Sequence, residues 1–190
     1  MIDQLGDIKF YKELHENEVK RKIEINGLVK FPTTLLMVII GAGFYLYKPL
    51  FEVSPNSIHD CVWCTLILFA IVFTTFLSIA TFFLIRVFHN LFRKYEYLPT
   101  PFVLRDRHIE IYEHYVSYFT AQNANNIKSQ SIKFSKKEFE KELFDHYIEC
   151  SSNNQRVNDK RIKDFYRSRH YLMFALVVLA ISSVILILNQ

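Results

Sequence analysis

Few side chains in this sequence have the type and spacing that chemistry requires. Cys61 and Cys64 form a Cys-x-x-Cys pair, with His59 and Asp60 immediately before it. Two thiols at that spacing can exchange as a disulfide once one of them ionises. They cannot complete a structural zinc site, even with His59 and Asp60 recruited from a short loop, so no metal is expected. The plainer reading is a pair of small apolar residues at a helix end, or a disulfide in an oxidising compartment. Cys150 reads as an ordinary thiol. Arg105, Arg107, His108 and His114 gather into a small basic patch that could hold a phosphate or nucleotide, or simply be the solvated face of a helix. Arg156, Lys160, Arg161, Lys163, Arg167 and Arg169 crowd residues 156 to 169 with six positive charges against two negative. Such a run suits anionic lipid, at about 1 kcal/mol for each nearby Lys or Arg. Nucleic-acid binding competes with that reading, without a recognised binding motif to carry it. Thr74, Ser78 and Thr81, at i, i+4 and i+7, make one stripe of hydroxyls. They could line a pore built by several subunits, or bond to neighbouring helices or to carbonyls four residues back. The four glycines, Gly6, Gly27, Gly41 and Gly43, form no phosphate-cradling loop, and no cofactor is expected.

The elements that must position these residues follow from an uneven composition. The chain has 190 residues, 51% hydrophobic and 22% charged, but the two kinds are segregated. Residues 31 to 51 carry a single charge, Lys48, near one end, where a lysine stem can snorkel to an interface. Residues 61 to 85 carry none, and neither do residues 171 to 188. Each run is about as long as the 17 to 25 residues that cross a hydrocarbon core, and none shows the polar face of a soluble core helix. Three transmembrane helices are therefore expected, the first two as a hairpin. Residues 1 to 30 mix acids and bases without an apolar stretch, which is unlike a signal peptide, so the N-terminal segment is expected to be retained as an amphipathic helix. Six Lys and Arg lie in residues 1 to 30, one lies between the first two spans, and sixteen lie in residues 86 to 169. The positive-inside rule then puts the N-terminus and the 86 to 169 region in the cytoplasm, and Asn189 and Gln190 outside. The absence of ionisable groups from the depth of the spans argues against a proton-coupled or secondary transporter.

The cytosolic region, 94 to 169, reads as a small helical domain. Pro99 and Pro101 should break the helix leaving the second span, with Thr100 as N-cap and Pro101 as first residue of the next. Tyr112, Tyr115, Val116 and Phe119 then give an aromatic stripe at helical spacing, although HIEI at 108 to 111 also alternates like a strand. TAQNANNIKSQS, 120 to 131, reads as a loop. Ser135 and Glu138 have the capping-box spacing that would begin a new helix, and SSNN at 151 to 154 reads as a second loop. Phe10, Tyr11 and Leu14 of the N-terminal helix offer partners for the aromatic faces, because the 84 residues from 86 to 169, with few aliphatic side chains, bury only a modest core alone.

Arg107 and His114, seven positions apart, resemble the Arg and His signature of HEPN ribonucleases, and a nuclease or a thiol redox role at Cys61 and Cys64 are the enzymatic alternatives to a non-enzymatic protein. The charged N-terminal helix, the hairpin of spans, and QRVNDKRIKDFYRSRHYLMFALVVLAI, 155 to 181, resemble in organisation the small bacterial membrane effectors of antiphage defence, SLATT-type proteins and the membrane accessories of CRISPR and retron systems among them. That resemblance implies an inner-membrane homo-oligomer that forms a pore or perturbs the membrane when a defence partner or infection signal reaches its cytosolic domain. The alternative is a non-conducting adaptor that recruits a soluble protein or nucleic-acid complex.

Overall fold

The computed structural model describes residues 8–48, 50, 60–88 and 93–188, and the side chains of Asp60 and Cys61 lie outside that description. Among the described residues the secondary structure is entirely helical: α1 (Ile8–Leu28), α2 (Lys30–Tyr47), α3 (Asp60–Phe88), α4 (Pro101–Ala121) and α5 (Ile127–Leu188). Three of these stretches are long and apolar enough to cross a membrane: the combined run of α1 and α2, the bulk of α3, and α5. These helices hold residues 31–47 of the first apolar run and the whole of the second and third. Helical hydrogen bonding continues through Val29, whose N–H donates to Ile25 at 3.3 Å and whose carbonyl accepts from Thr33 at 3.2 Å. The first span is thus the continuation of the charged N-terminal helix.

The chain divides into two compact units, one of residues 1–21 and 94–157, the other of residues 22–93 and 158–190. The second holds the apolar helices. Its core gathers Ile25, Val29, Leu36, Ile39 and Tyr47 from α1 and α2, Phe73, Ala80, Leu84 and Val87 from α3, and Phe165, Leu172, Ala175 and Val178 from α5. Asn158, Arg161, Phe165, Ser168, Leu172, Ala175, Val178 and Ser182, buried on α5 in this unit, follow one another at the three and four spacings of a packed helical seam, with Asp164 buried beside Phe165. Ser168 Oγ donates to the Ala80 carbonyl at 2.9 Å and Arg161 Nε to the Val87 carbonyl at 3.0 Å, so α3 and α5 descend one heptad together in opposite directions. Arg161 also donates to Asn26 Oδ1, and the Tyr47 and Ser182 hydroxyls bond at 2.8 Å. Those two ties pair the start of the first span with the start of the third and the end with the end, so the α1–α2 run is parallel to α5. At Gly43 α2 lies tight against α3: a Cβ there would stand 2.6 Å from Cε1 and Cζ of Phe73.

In the first unit Thr100 (φ −62°, ψ 154°) and Pro101 begin α4 where the two prolines place it, though the Thr100 side chain makes no capping bond. HIEI lies inside α4, which settles its helix-or-strand ambiguity as helix. Three readings of this region are corrected. The loop expected over 120 to 131 shrinks to residues 122–126, where Asn123 and Asn126 take positive φ (51° and 59°) and turn the chain between helices. Asparagine tolerates that left-handed region better than other side chains with a Cβ. Ser135 and Glu138 do not form a capping box, because Ser135 is buried inside α5 with its Oγ donating to the Ile132 carbonyl at 3.2 Å. SSNN at 151 to 154 is not a loop either but the uninterrupted middle of α5. Its amides serve the extended segment 93–100 instead. Asn154 accepts from the Glu96 N–H at 3.0 Å and donates to the Glu96 carbonyl at 2.9 Å, while Asn153 donates to the Lys94 carbonyl at 2.9 Å. A non-helical strand of backbone needs such partners, and side-chain amides on a helix supply both donor and acceptor.

Candidate functional site

The polar side chains that the fold brings together most tightly are in the three-helix unit, where the apolar run of α3 ends and that of α5 begins. Asp164, on α5 with its side chain 3% exposed, accepts from Arg93 Nη2 at 2.5 Å, stands 3.3 Å from Arg86 Nε and 3.9 Å from Arg167 Nη1. Three guanidiniums therefore share one carboxylate. Arg161, one turn earlier on α5, is buried and held by the Val87 carbonyl and Asn26. A buried charge is stabilised by pairing and by hydrogen bonds: Asp164 has the arginines, and Arg161 has a backbone carbonyl and an amide oxygen. Arg93 Nη1 is buried without a hydrogen-bond partner among the described residues. Phe83 organises the outer rim: the Arg86 and Arg167 guanidiniums lie 5.8 and 5.5 Å from its ring centroid, and its ring stacks on Tyr171 at 5.9 Å. Guanidiniums over aromatic faces are held by the ring quadrupole and kept from wandering.

The residues expected to carry function are placed as follows. Of the basic run, Arg156, Lys160, Lys163, Arg167 and Arg169 are exposed, while Arg161 is interior. Arg156 donates to Asn153 Oδ1 at 3.0 Å, and Arg169 lies over the Phe165 ring at 5.8 Å. Sequence reasoning missed Arg86, Arg93 and Asp164. The signal that could have found them is Asp164 itself, an acid in a strongly basic run on the heptad side that continues as Leu172 and Ala175.

Thr74 and Thr81 donate to the Ala70 and Leu77 carbonyls at 2.9 and 2.8 Å, the self-bonding geometry of hydroxyls in apolar helices. Thr74 and Ser78 are exposed on α3, and Thr81 is half-buried. Cys64 is exposed and free, and its expected partner Cys61 lies with His59 and Asp60 outside the described side chains. Asn189 and Gln190 are also outside the described residues. No group of three metal-ligating side chains occurs among the described residues.

The four residues of the basic patch do not converge. Arg107 forks onto Glu142 at 3.0 and 2.7 Å and reaches Glu110 at 3.2 Å. These bonds raise its pKa, and the same Arg107 bonds hold the Glu142 carboxyl below its usual range. Arg105 pairs with Asp106 at 2.9 Å and lies over the Phe102 ring. His108 stacks on Phe139 at 4.7 Å, and His114 meets the edge of Tyr115 at 5.6 Å. The contacts of Arg107 and His108 tie α4 to the first half of α5, while those of Arg105 and His114 stay within α4. In the same unit Tyr11 packs edge-on against Phe144 at 4.7 Å, joining α1 to α5 as the aromatic composition predicts. His15 meets Tyr147 at 5.9 Å with its Nδ1 buried and without a hydrogen-bond partner among the described residues, and burial lowers its pKa. Burial likewise pushes the Cys150 thiol up, with Glu96 and Glu149 adding to the effect, which keeps it protonated and unreactive.

Comparison with protein-family models, with curated proteins and with solved structures finds no match to this chain. The arrangement defines an all-helical protein with three membrane-length apolar stretches and an ionic centre at one end of those stretches.

Proposed function

We propose that the chain is a multi-pass bacterial inner-membrane protein acting as an oligomeric, pore-forming or membrane-perturbing effector, controlled by its polar helical unit and serving defence against phage. The N-terminus and the polar unit face the cytoplasm in this reading, following the sixteen basic residues between 86 and 169. The observation that carries it is the large apolar surface that the three long helices leave uncovered: Met37, Val38, Phe44, Leu68, Ile71, Phe82, Val177 and Val184 are all exposed. Lipid or further copies of the chain must cover that surface. The exposed Thr74 and Ser78 stand on it, and so does Gly41, with open space around its Cβ position. A small residue permits close approach of a second helix. Defence is the role implied by the resemblance in organisation alone. Dye uptake and membrane potential in cells expressing the chain with its trigger test the reading. Depolarisation that weakens in Thr74→Leu/Ser78→Leu supports it, and an intact potential under full induction with the trigger removes it.

A non-conducting adaptor is the second reading, favoured by an open groove of about 440 Å³ in the polar unit, lined by Tyr115, Phe134, Lys137, Glu138, Lys141, Glu142 and Asp145. Its mixture of aromatic and alternating charge suits a peptide or helix of a partner protein. That reading requires a partner that binds with defined stoichiometry and liposomes that stay impermeant.

A further inference from the structure

We infer that Arg86 and Arg167, held around Asp164 and Phe83, form a site for the phosphate of an anionic phospholipid. The inference rests on the membrane reading of the three apolar helices and not on pore formation.

Charge supplies the first reason. Arg86, Arg93 and Arg167 meet one carboxylate, which leaves a surplus of two positive charges at Asp164. The side chains of Arg86 and Arg167 are 37% and 59% exposed, so both guanidiniums remain accessible from outside while Asp164 keeps them in place. A planar guanidinium fork matches phosphate oxygens, and two forks fixed in advance lose little entropy on binding. Both guanidiniums also lie over the Phe83 ring, a second anchor that holds them beside Asp164.

Position supplies the second. The donors sit where the apolar run of α3 ends, and the surface on the span side of them is apolar and uncovered. Phe82 and Ile85 on α3 and Met173 and Phe174 on α5 are 46% to 58% exposed. A phosphate on the guanidiniums would lay its acyl chains along those side chains. Free phosphate uses only the first half of this surface, so a lipid is the occupant that fits both.

The third reason separates a built site from diffuse attraction. Lys163 and Arg169 are exposed on the same stretch of α5 but neither contacts Asp164 in any bond described above. If the basic run simply coats an anionic surface, their removal should matter as much.

The test is native mass spectrometry of the full chain in mild detergent, titrated with phosphatidylglycerol, with phosphatidylcholine or with inorganic phosphate. Phosphatidylglycerol should bind at a saturable stoichiometry, and Arg86→Gln and Arg167→Gln should each weaken it by about fivefold, the equivalent of about 1 kcal/mol per cation. Lys163→Gln should leave it nearly unchanged. Equal losses in Lys163→Gln overturn the site in favour of diffuse attraction. Equal binding of phosphatidylcholine removes the need for an anionic headgroup and overturns it too, and inorganic phosphate binding as tightly as the lipid overturns the lipid as occupant. Both substituted arginines are partly exposed, and thermal unfolding of each variant, unchanged from the parent, shows that lost binding is not lost folding.

Discussion

Asp164 gathers three guanidiniums around one carboxylate. Its carboxylate is buried at 3% exposure among Arg93, Arg86 and Arg167, and truncating one partner of such a group strands the others. Asp164→Ala is therefore expected to destabilise the three-helix unit by about 3 to 5 kcal/mol. The comparison is Asp106→Ala, whose exposed pairing with Arg105 should change stability by less than about 1 kcal/mol. Thermal unfolding in detergent reads both. His15 gives a pH dependence of known sign. Its ordinary value is 6.5; burial lowers it and the neighbouring Glu16 only partly opposes this, while Tyr147 is the aromatic facing it from α5. The folded state thus holds fewer protons than the unfolded chain just below that value, so stability is full above about pH 6.5 and declines as the pH falls through the window down to the folded pKa. His15→Phe should flatten that slope. An unchanged slope in the variant assigns the pH response to other groups.

At the scale of elements, Gly43 and Gly41 separate packing within the chain from packing between chains. A methyl at Gly43 meets the buried Phe73 ring at 2.6 Å, whereas a methyl at Gly41 meets nothing within 4 Å. Gly43→Ala should destabilise by about 1 to 3 kcal/mol, the usual cost of overpacking a filled interface. Gly41→Ala, free of any clash, should not destabilise and should gain up to about 1 kcal/mol from helix propensity, and Gly41→Leu should lower the oligomeric state in detergent if another copy approaches there. The spans were legible in the sequence because lipid-facing helices need apolar residues on every side, which makes the signal one of composition. The boundaries within α5 were not. Ser135, Ser151, Asn153 and Asn154 have the composition of caps and turns, and local propensity has no knowledge of a distant partner such as Glu96. The same limit hid the ionic centre. Arg161 and Arg167 are close in sequence and alike in type, and only the heptad phase of α5 decides that one is buried against Val87 and the other reaches outward. The α4 helix fared better, because Thr100 and Pro101 act locally.

For the whole molecule the open quantity is orientation. The apolar helices fix the relative directions, since Asn26 bonds to Arg161 and Tyr47 to Ser182 while Ala80 and Val87 meet α5 in the opposite sense. A hairpin of α2 and α3 followed by α5 parallel to α2 puts the two ends of Asp60–Phe88 on opposite sides of any bilayer that the helices cross. Which end is outside depends on the proposed cytoplasmic retention of the basic segments. The cysteines make that measurable. Cys64 is exposed near the start of α3 and Cys150 is buried near the middle of α5. A chain carrying Cys61→Ser and Cys150→Ser keeps Cys64 as its single thiol, and a membrane-impermeant maleimide should label it in intact spheroplasts. Lys163→Cys, placed at an exposed position in a chain with all three native cysteines replaced by Ser, should react only after the membrane is opened. Labelling of the second position and not the first in intact spheroplasts would reverse the topology. It would carry the Asp164 centre to the outer face and leave the polar helices exposed to the periplasm, where no cytoplasmic signal reaches them.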